Sequence, residues 1–196
     1  MIRKIKYAAA LFLSVILLSS NINDHILVLV EEAQHAFNYL NKVRNNPSDF
    51  SDEIGVSLSY VKKRDNLVWN ENLAEAAQEK AADMAERGYF SHVDPDGCGM
   101  NYYINEAGYE LRSDWVKPKS SNFFESIYYE YGYTGDGEGL RAIMSLILDE
   151  NTNPPGHRNH LLGIEDFWAD CRDCGIGIVR KGSEVFVSVL IAKHDF

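Results

Sequence analysis

A chain of 196 residues with a formal charge of -10 and 45% apolar residues is long enough for one well-filled core and too short for two ordinary domains. An excess of acid on this scale argues against nucleic acid as a partner. Beyond the N-terminal stretch no apolar run approaches the ~20 residues needed to cross a bilayer, so a soluble folded domain is expected.

The chain opens with Arg3, Lys4 and Lys6, then an apolar run from Tyr7 to Leu18, then Ser19 and Ser20 before Asn21. A basic head, a short apolar middle and small residues at the end describe a secretory signal peptide over residues 1–20, leaving a single exported domain over 21–196. Its destination is the periplasm or the medium. Leu18, at the minus-three position of a cut after Ser20, keeps an uncleaved anchor as the alternative. Loss of the three basic residues leaves the domain more acidic still, and self-repulsion favours a solvated monomer.

A first helix is predicted from a cap at Asp24 to Asn45, where Asn45-Asn46-Pro47 stops it. Ile26, Val30, Ala33, Phe37 and Leu40 recur at the helical interval as its inner stripe, with Glu31, Glu32 and Lys42 facing water. Asn41 and Arg44, one turn apart, suit polar anchors to a neighbouring loop. A second helix begins at Asn70 or at Asn72, the latter with Glu75 in capping-box position, and stops at Gly88. Leu73, Ala77, Ala81 and Met84 make its inner face, and the small alanines allow close approach to a sheet.

His92 follows, held between the aromatic pair Tyr89-Phe90 and a turn. Asp94, Asp96 and Gly97 resemble a calcium loop superficially, but the distal glutamate is missing, so a turn is expected. A short helix from Met100 to Ala107 stops at Gly108, and residues 112–121 read as an exposed loop. Phe123 to Tyr129 is a strand by its aromatic and branched content. Alternation puts Glu125 on the face of Phe123, Ile127 and Tyr129. A carboxylate among apolar neighbours is either ion-paired or functional, because burying it unpaired costs several kcal/mol. The tyrosines that run on to Tyr133 read as packing.

Gly135 to Gly139 opens a helix that runs to Glu150, with Leu140, Met144, Ile147 and Leu148 turned inward. Asp149 and Glu150 fall at the negative end of its dipole, where acids are disfavoured, which points to a compensating histidine or cation. In Asn153 to Leu162, two prolines and a glycine break the helix, and His157 and His160 then lie on one side of a helical turn. Imidazole is the side chain best suited to hold a metal or move a proton near neutrality. The plainer alternative is a surface turn with two hydrogen-bonded histidines. Residues 175–180 and 184–193 alternate around Lys181-Gly182-Ser183 as a closing hairpin. Of three cysteines, one disulfide and one free thiol are expected, with Cys174 bridged to Cys98 or Cys171; the Cys171–Cys174 pair lacks the second ligand pair of a zinc ribbon.

Taken in order, these segments resemble the CAP superfamily of cysteine-rich secretory, antigen 5 and pathogenesis-related proteins, also called the SCP domain, in a bacterial-type secreted form. Leu40-Asn41-Lys42-Val43-Arg44 is similar to the family's first-helix motif, with Leu40 replacing its leading histidine. Leu67 to Ala74 resembles its tryptophan-led approach to the second helix, and Ser91-His92 matches the first cleft histidine. Phe124-Glu125-Ser126-Ile127 is similar to the Gly-Glu-Asn or Gly-Glu-Ser strand motif, with Phe124 in place of glycine. Leu148-Asp149-Glu150 falls where the family carries its second cleft glutamate. Gly156-His157-Arg158-Asn159-His160-Leu161-Leu162 resembles the bacterial form of the second histidine motif, which makes His160 the extra one, and Cys174 to Ile178 resembles the strand that follows.

The resemblance implies an α+β fold, a three-layer α-β-α sandwich with a mainly antiparallel sheet, and a cleft holding His92, His157, Glu125 and Glu150. Neutral imidazoles there would bind a divalent cation, zinc ahead of calcium or magnesium, with the glutamates orienting them, coordinating, or holding a water. The family has no single agreed activity. The leading expectation is an exported module whose cleft holds a cation and a lipid, glycan or protein ligand. The alternative is a metal-dependent hydrolase acting on peptides, with Glu125 or Glu150 as candidate general base. A third reading treats the four polar residues as an interior hydrogen-bond network. No Gly-x-Ser-x-Gly nucleophile motif occurs.

Overall fold

A computed structural model describes residues 25–132, 135–150 and 152–194; the predicted signal peptide lies outside them. The hairpin is formed by β4 (Asp173–Lys181) and β5 (Glu184–Ala192), whose runs of valine and isoleucine suit strands covered on both faces. β3 (Glu125–Tyr131) pairs antiparallel with β5, and β1 (Ile26–Val28) pairs antiparallel with β4, in the order β1-β4-β5-β3. A two-residue strand, β2 (Val68–Trp69), pairs parallel with the start of β4.

Helix α3 (Glu71–Arg87) covers one face of this sheet, with Ala77 and Ala81 fully buried. Two glycines set its distance. A Cβ at Gly175 would lie 2.2 Å from the backbone nitrogen of Ala74, and one at Gly177 would lie 2.3 Å from the carbonyl carbon of Ala77. The helix is capped by Asn70, whose side chain accepts from the Leu73 amide at 3.1 Å, and it ends at Gly88 in the left-handed region. The opposite face is covered by α1 (Val30–Asn45) and α5 (Glu138–Leu148). Shorter helices fill the connections: α2 (Ser51–Ile54), α4 (Met100–Glu106), α6 (Gly156–Leu162) and α7 (Asp166–Ala169). The result is the α-β-α sandwich.

Four details depart from expectation. α1 begins at Val30 because residues 26–28 pair with β4; Val30 itself is 66% exposed, and the inner stripe is Ala33, Ala36, Leu40 and Val43. α5 presents Ala142, Ile143, Leu146 and Ile147 to the core and leaves Leu140 exposed. Its first turn crosses α1 so closely that a Cβ at Gly139 would sit 2.1 Å from the Glu32 carbonyl oxygen, which fixes its rotation. β3 starts at Glu125, since Phe123 and Phe124 belong to an aromatic cluster with Phe167. The expected disulfide is absent: Cys98, Cys171 and Cys174 are all free thiols. Cys98 lies in the turn before α4, and the extended run into β4 separates the other two by roughly 10 Å between Cα atoms, beyond disulfide reach.

Candidate functional site

His92 reaches the sheet from the loop after α3. Its Nδ1 lies 2.8 Å from Glu125 Oε2, and the other carboxylate oxygen accepts a 2.9 Å hydrogen bond from Ser188 Oγ on β5. The Glu125 side chain is 0% exposed and that of His92 is 38% exposed, so the imidazole is held from behind by a buried carboxylate while its far edge meets solvent. Glu125 therefore has no oxygen turned toward water. Phe124 does not crowd it, since alternation sends the Phe124 ring the other way, against Trp115 and Phe167. The His92 loop is pinned by Lys80, a buried lysine whose Nζ donates to Tyr89 Oη at 3.1 Å and to the His92 carbonyl at 3.4 Å. Burial pulls the Lys80 pKa down, against the opposing charges of Glu125, Asp83 and Asp94.

His157 is held in the same manner, but by Asp149. The His157 Nδ1 lies 2.9 Å from Asp149 Oδ1, and Thr152 Oγ1 donates to that same oxygen at 2.5 Å. Asp149 Oδ2 accepts the backbone amides of His157 at 3.0 Å and Arg158 at 3.4 Å. Asp149 ends α5 in the left-handed conformation, with φ 46°, which turns its carboxylate from the end of its own helix to the start of α6. Burial opposes its ionisation, yet the hydrogen bonds from Thr152 and His157 hold its carboxyl below the usual range. The carbonyls of Ile147 and Leu148 at the end of α5 are taken up by the Arg158 guanidinium. Glu150, the expected cleft acid, is exposed, and Asp149 fills the place beside His157.

His160 is buried. Its Nδ1 lies 2.8 Å from Ser126 Oγ and its Nε2 lies 3.4 Å from the Ile191 carbonyl, so the network assigns the proton to Nε2 and lets Nδ1 accept from the hydroxyl. Burial pushes its pKa down to about 3, keeping it neutral. The charges of His157 and His92 both act on it. His160 lies one turn after His157 on α6 and bonds to Ser126, the neighbour of Glu125 on β3, so this one neutral buried histidine ties the segment that carries His157 to the strand that holds His92. Among the described residues no three His, Cys, Asp or Glu side chains gather closely enough to hold a metal ion between them. The carboxylates Glu125 and Asp149 bind imidazoles, and the atoms left for a ligand are the Nε2 positions of His92 and His157.

Asn41 and Arg44 are anchors, as their spacing suggested. Asn41 exchanges hydrogen bonds with the Leu67 main chain, and Arg44 Nη1 donates to the Leu161 carbonyl at 2.6 Å. Ser188 and Lys80 were not anticipated as part of this site. Each carries a signal: Ser188 interrupts the apolar run Val185 to Ala192, and Lys80 falls within the alanine stripe of α3.

The sequence profile of the cysteine-rich secretory protein family, CAP, matches residues 37–191. No match was found among curated proteins. Among solved structures, an outer surface protein of Borrelia burgdorferi is similar at 14% identity and a TM-score of 0.55, over 88% of this chain and 99% of that one. An extracellular protein containing an SCP domain from Bacillus anthracis is similar at 17% identity and a TM-score of 0.51, over 82% of this chain and 40% of that one. At these identities the two structures speak for the fold. No helix among the described residues is long and apolar enough to cross a membrane. With the profile spanning most of the sequence and the sandwich fold shared, the chain belongs to the CAP family.

Proposed function

We propose that this CAP domain is an exported binding module in which His92 and His157 hold a divalent cation, zinc in the first instance, and through it a ligand. One observation carries the reading: each imidazole is engaged at Nδ1 by a buried carboxylate, Glu125 or Asp149, which leaves Nε2 as the free electron pair. That is the arrangement by which outer carboxylates orient metal-binding histidines and raise their basicity. Two imidazoles leave coordination positions for solvent or for donor atoms of a lipid, glycan or protein ligand. The cation would supply a Lewis-acid contact, and Ser188 and Lys80 would keep the His92 side in register. Export follows from the basic and apolar N-terminal run, and the extracellular and outer-surface descriptions of the two structural relatives accord with it.

Elemental analysis of the purified domain before and after chelation, with zinc titration of the stripped protein, tests this. About one zinc per chain is expected, lost in the His92→Ala, His157→Ala double variant while the fold persists. A stripped protein that takes up no zinc, or a double variant that binds it undiminished, would sink the cation reading. Peptide hydrolysis lost together with the metal would move the assignment to a hydrolase.

A further inference from the structure

Between the 112–123 loop and α7, the surface opens into a groove of about 520 Å³ lined by Trp115, Phe123, Phe167 and Trp168 together with Asp114, Asn122 and Glu165. This volume lies within the ~300–1,000 Å³ range of small-molecule sites. None of His92, Glu125, Asp149 and His157 lines it. Phe123 is 40% exposed, and Phe167 and Trp168 are half-buried. Their rings are fixed: Phe167 meets Phe123 and Trp168 edge-on at 6.4 and 6.1 Å, and the Trp168 indole N–H donates to the Phe123 carbonyl at 2.9 Å. Trp115 is buried in the core, and Phe167, Trp168 and Phe123 are held in order at its edge, with Phe123 exposed.

The polar atoms around these rings narrow the ligand. Asn122 Oδ1 is buried with no hydrogen-bond partner among the described residues, an acceptor waiting for a donor. Glu165 adds a carboxylate acceptor beside the same space, one of its oxygens held by Asn159 at 2.9 Å, whereas Asp114 is taken up on both oxygens by Arg112. Cations are already supplied from within: the Arg112 guanidinium lies 4.5 Å from the Trp115 ring and the Lys193 ammonium 4.9 Å from the Phe167 ring. They disfavour a cationic guest on those faces, and the acidity of the chain disfavours an anionic one. What fits is an uncharged molecule with flat apolar faces and a periphery of hydrogen-bond donors. We propose that the groove binds a neutral oligosaccharide, with pyranose faces against Phe123 and Trp168 and hydroxyl or acetamido donors reaching Asn122 Oδ1 and Glu165.

The probe is the tetramer of N-acetylglucosamine, titrated into the folded protein with tryptophan fluorescence and calorimetry as readouts. Saturable binding with a dissociation constant below about 1 mM is expected. Trp168→Ala and Phe123→Ala should each weaken it about tenfold while melting curves confirm the fold. Should Trp168→Ala fail to fold, Phe123→Ala, at an exposed ring, decides alone. His92→Ala and His157→Ala should leave sugar binding unchanged, which separates this site from the cation site whatever becomes of the latter. No saturation by about 10 mM overturns the proposal. So does unaltered affinity in the groove variants, or capture of a lysine-rich peptide in place of the sugar.

Discussion

The Asp149 carboxylate joins two helices by a single change of backbone sign. An acid at the end of a helix faces that helix's own carbonyls, which repel it. With φ at 46°, Asp149 is instead aimed at the free amides of α6, where negative charge is favoured, and its remaining lone pairs orient His157 and accept from Thr152. Asp149→Asn should therefore cost about 1–2 kcal/mol of stability. It should also weaken zinc binding about tenfold to a hundredfold by loosening His157. Glu150→Gln, one residue on and exposed, should change neither. Thermal melts and zinc titrations on the two variants decide between the adjacent acids. The sequence marked this pair as misplaced and in want of a histidine, and that physical clue was sound; which of the two acids turns inward depends on one φ angle, and periodicity does not report it.

At the scale of elements, α3 and the hairpin were legible because both patterns are strong. The alanine stripe announces a helix lying close on a sheet, and Gly175 and Gly177 are the matching recesses in β4. Gly177→Ala should lower stability by about 3 kcal/mol, because the new methyl meets backbone of α3 and no side chain can give way. By comparison, Ile176→Val on the opposite face of the strand should cost only about 1 kcal/mol. Urea denaturation of both proteins tests the contrast, and equal losses would mean that α3 can ride outward. The start of α1 and the rotation of α5 were not legible. Ile26 fits a helical stripe and a strand equally well, and only the free edge of β4 selects the strand. Leu140 is apolar, yet the crossing at Gly139 turns it toward solvent.

At the scale of the molecule, the two histidine-bearing segments come from different layers, and each is tied to a covering helix by a buried cation. Lys80 of α3 holds the His92 carbonyl, and Arg44 of α1 holds the Leu161 carbonyl at the end of α6. Arg44 is fully buried, and among the described residues its Nε and Nη2 have no hydrogen-bond partner, so the guanidinium is not there for an ion pair; burial pushes its pKa down to about 10. Its long stem and single strong donor fill and close the junction between α1 and α6. Arg44→Ala should cost about 3 kcal/mol, through the cavity and the orphaned carbonyl. Lys80→Met, which keeps volume but strips the His92 carbonyl and the Tyr89 hydroxyl of their donor, should cost about 1–2 kcal/mol while freeing the His92 loop. Because the sheet stands between the two clamps, their stability losses should add in the double variant to within about 0.5 kcal/mol. Zinc affinity should not add in this way, since either loosened segment already removes one of the two imidazoles from position. Additive stability with non-additive zinc binding is the signature of two independent layers serving one site, whereas coupling in the denaturation energies would mean that the layers communicate through the sheet itself.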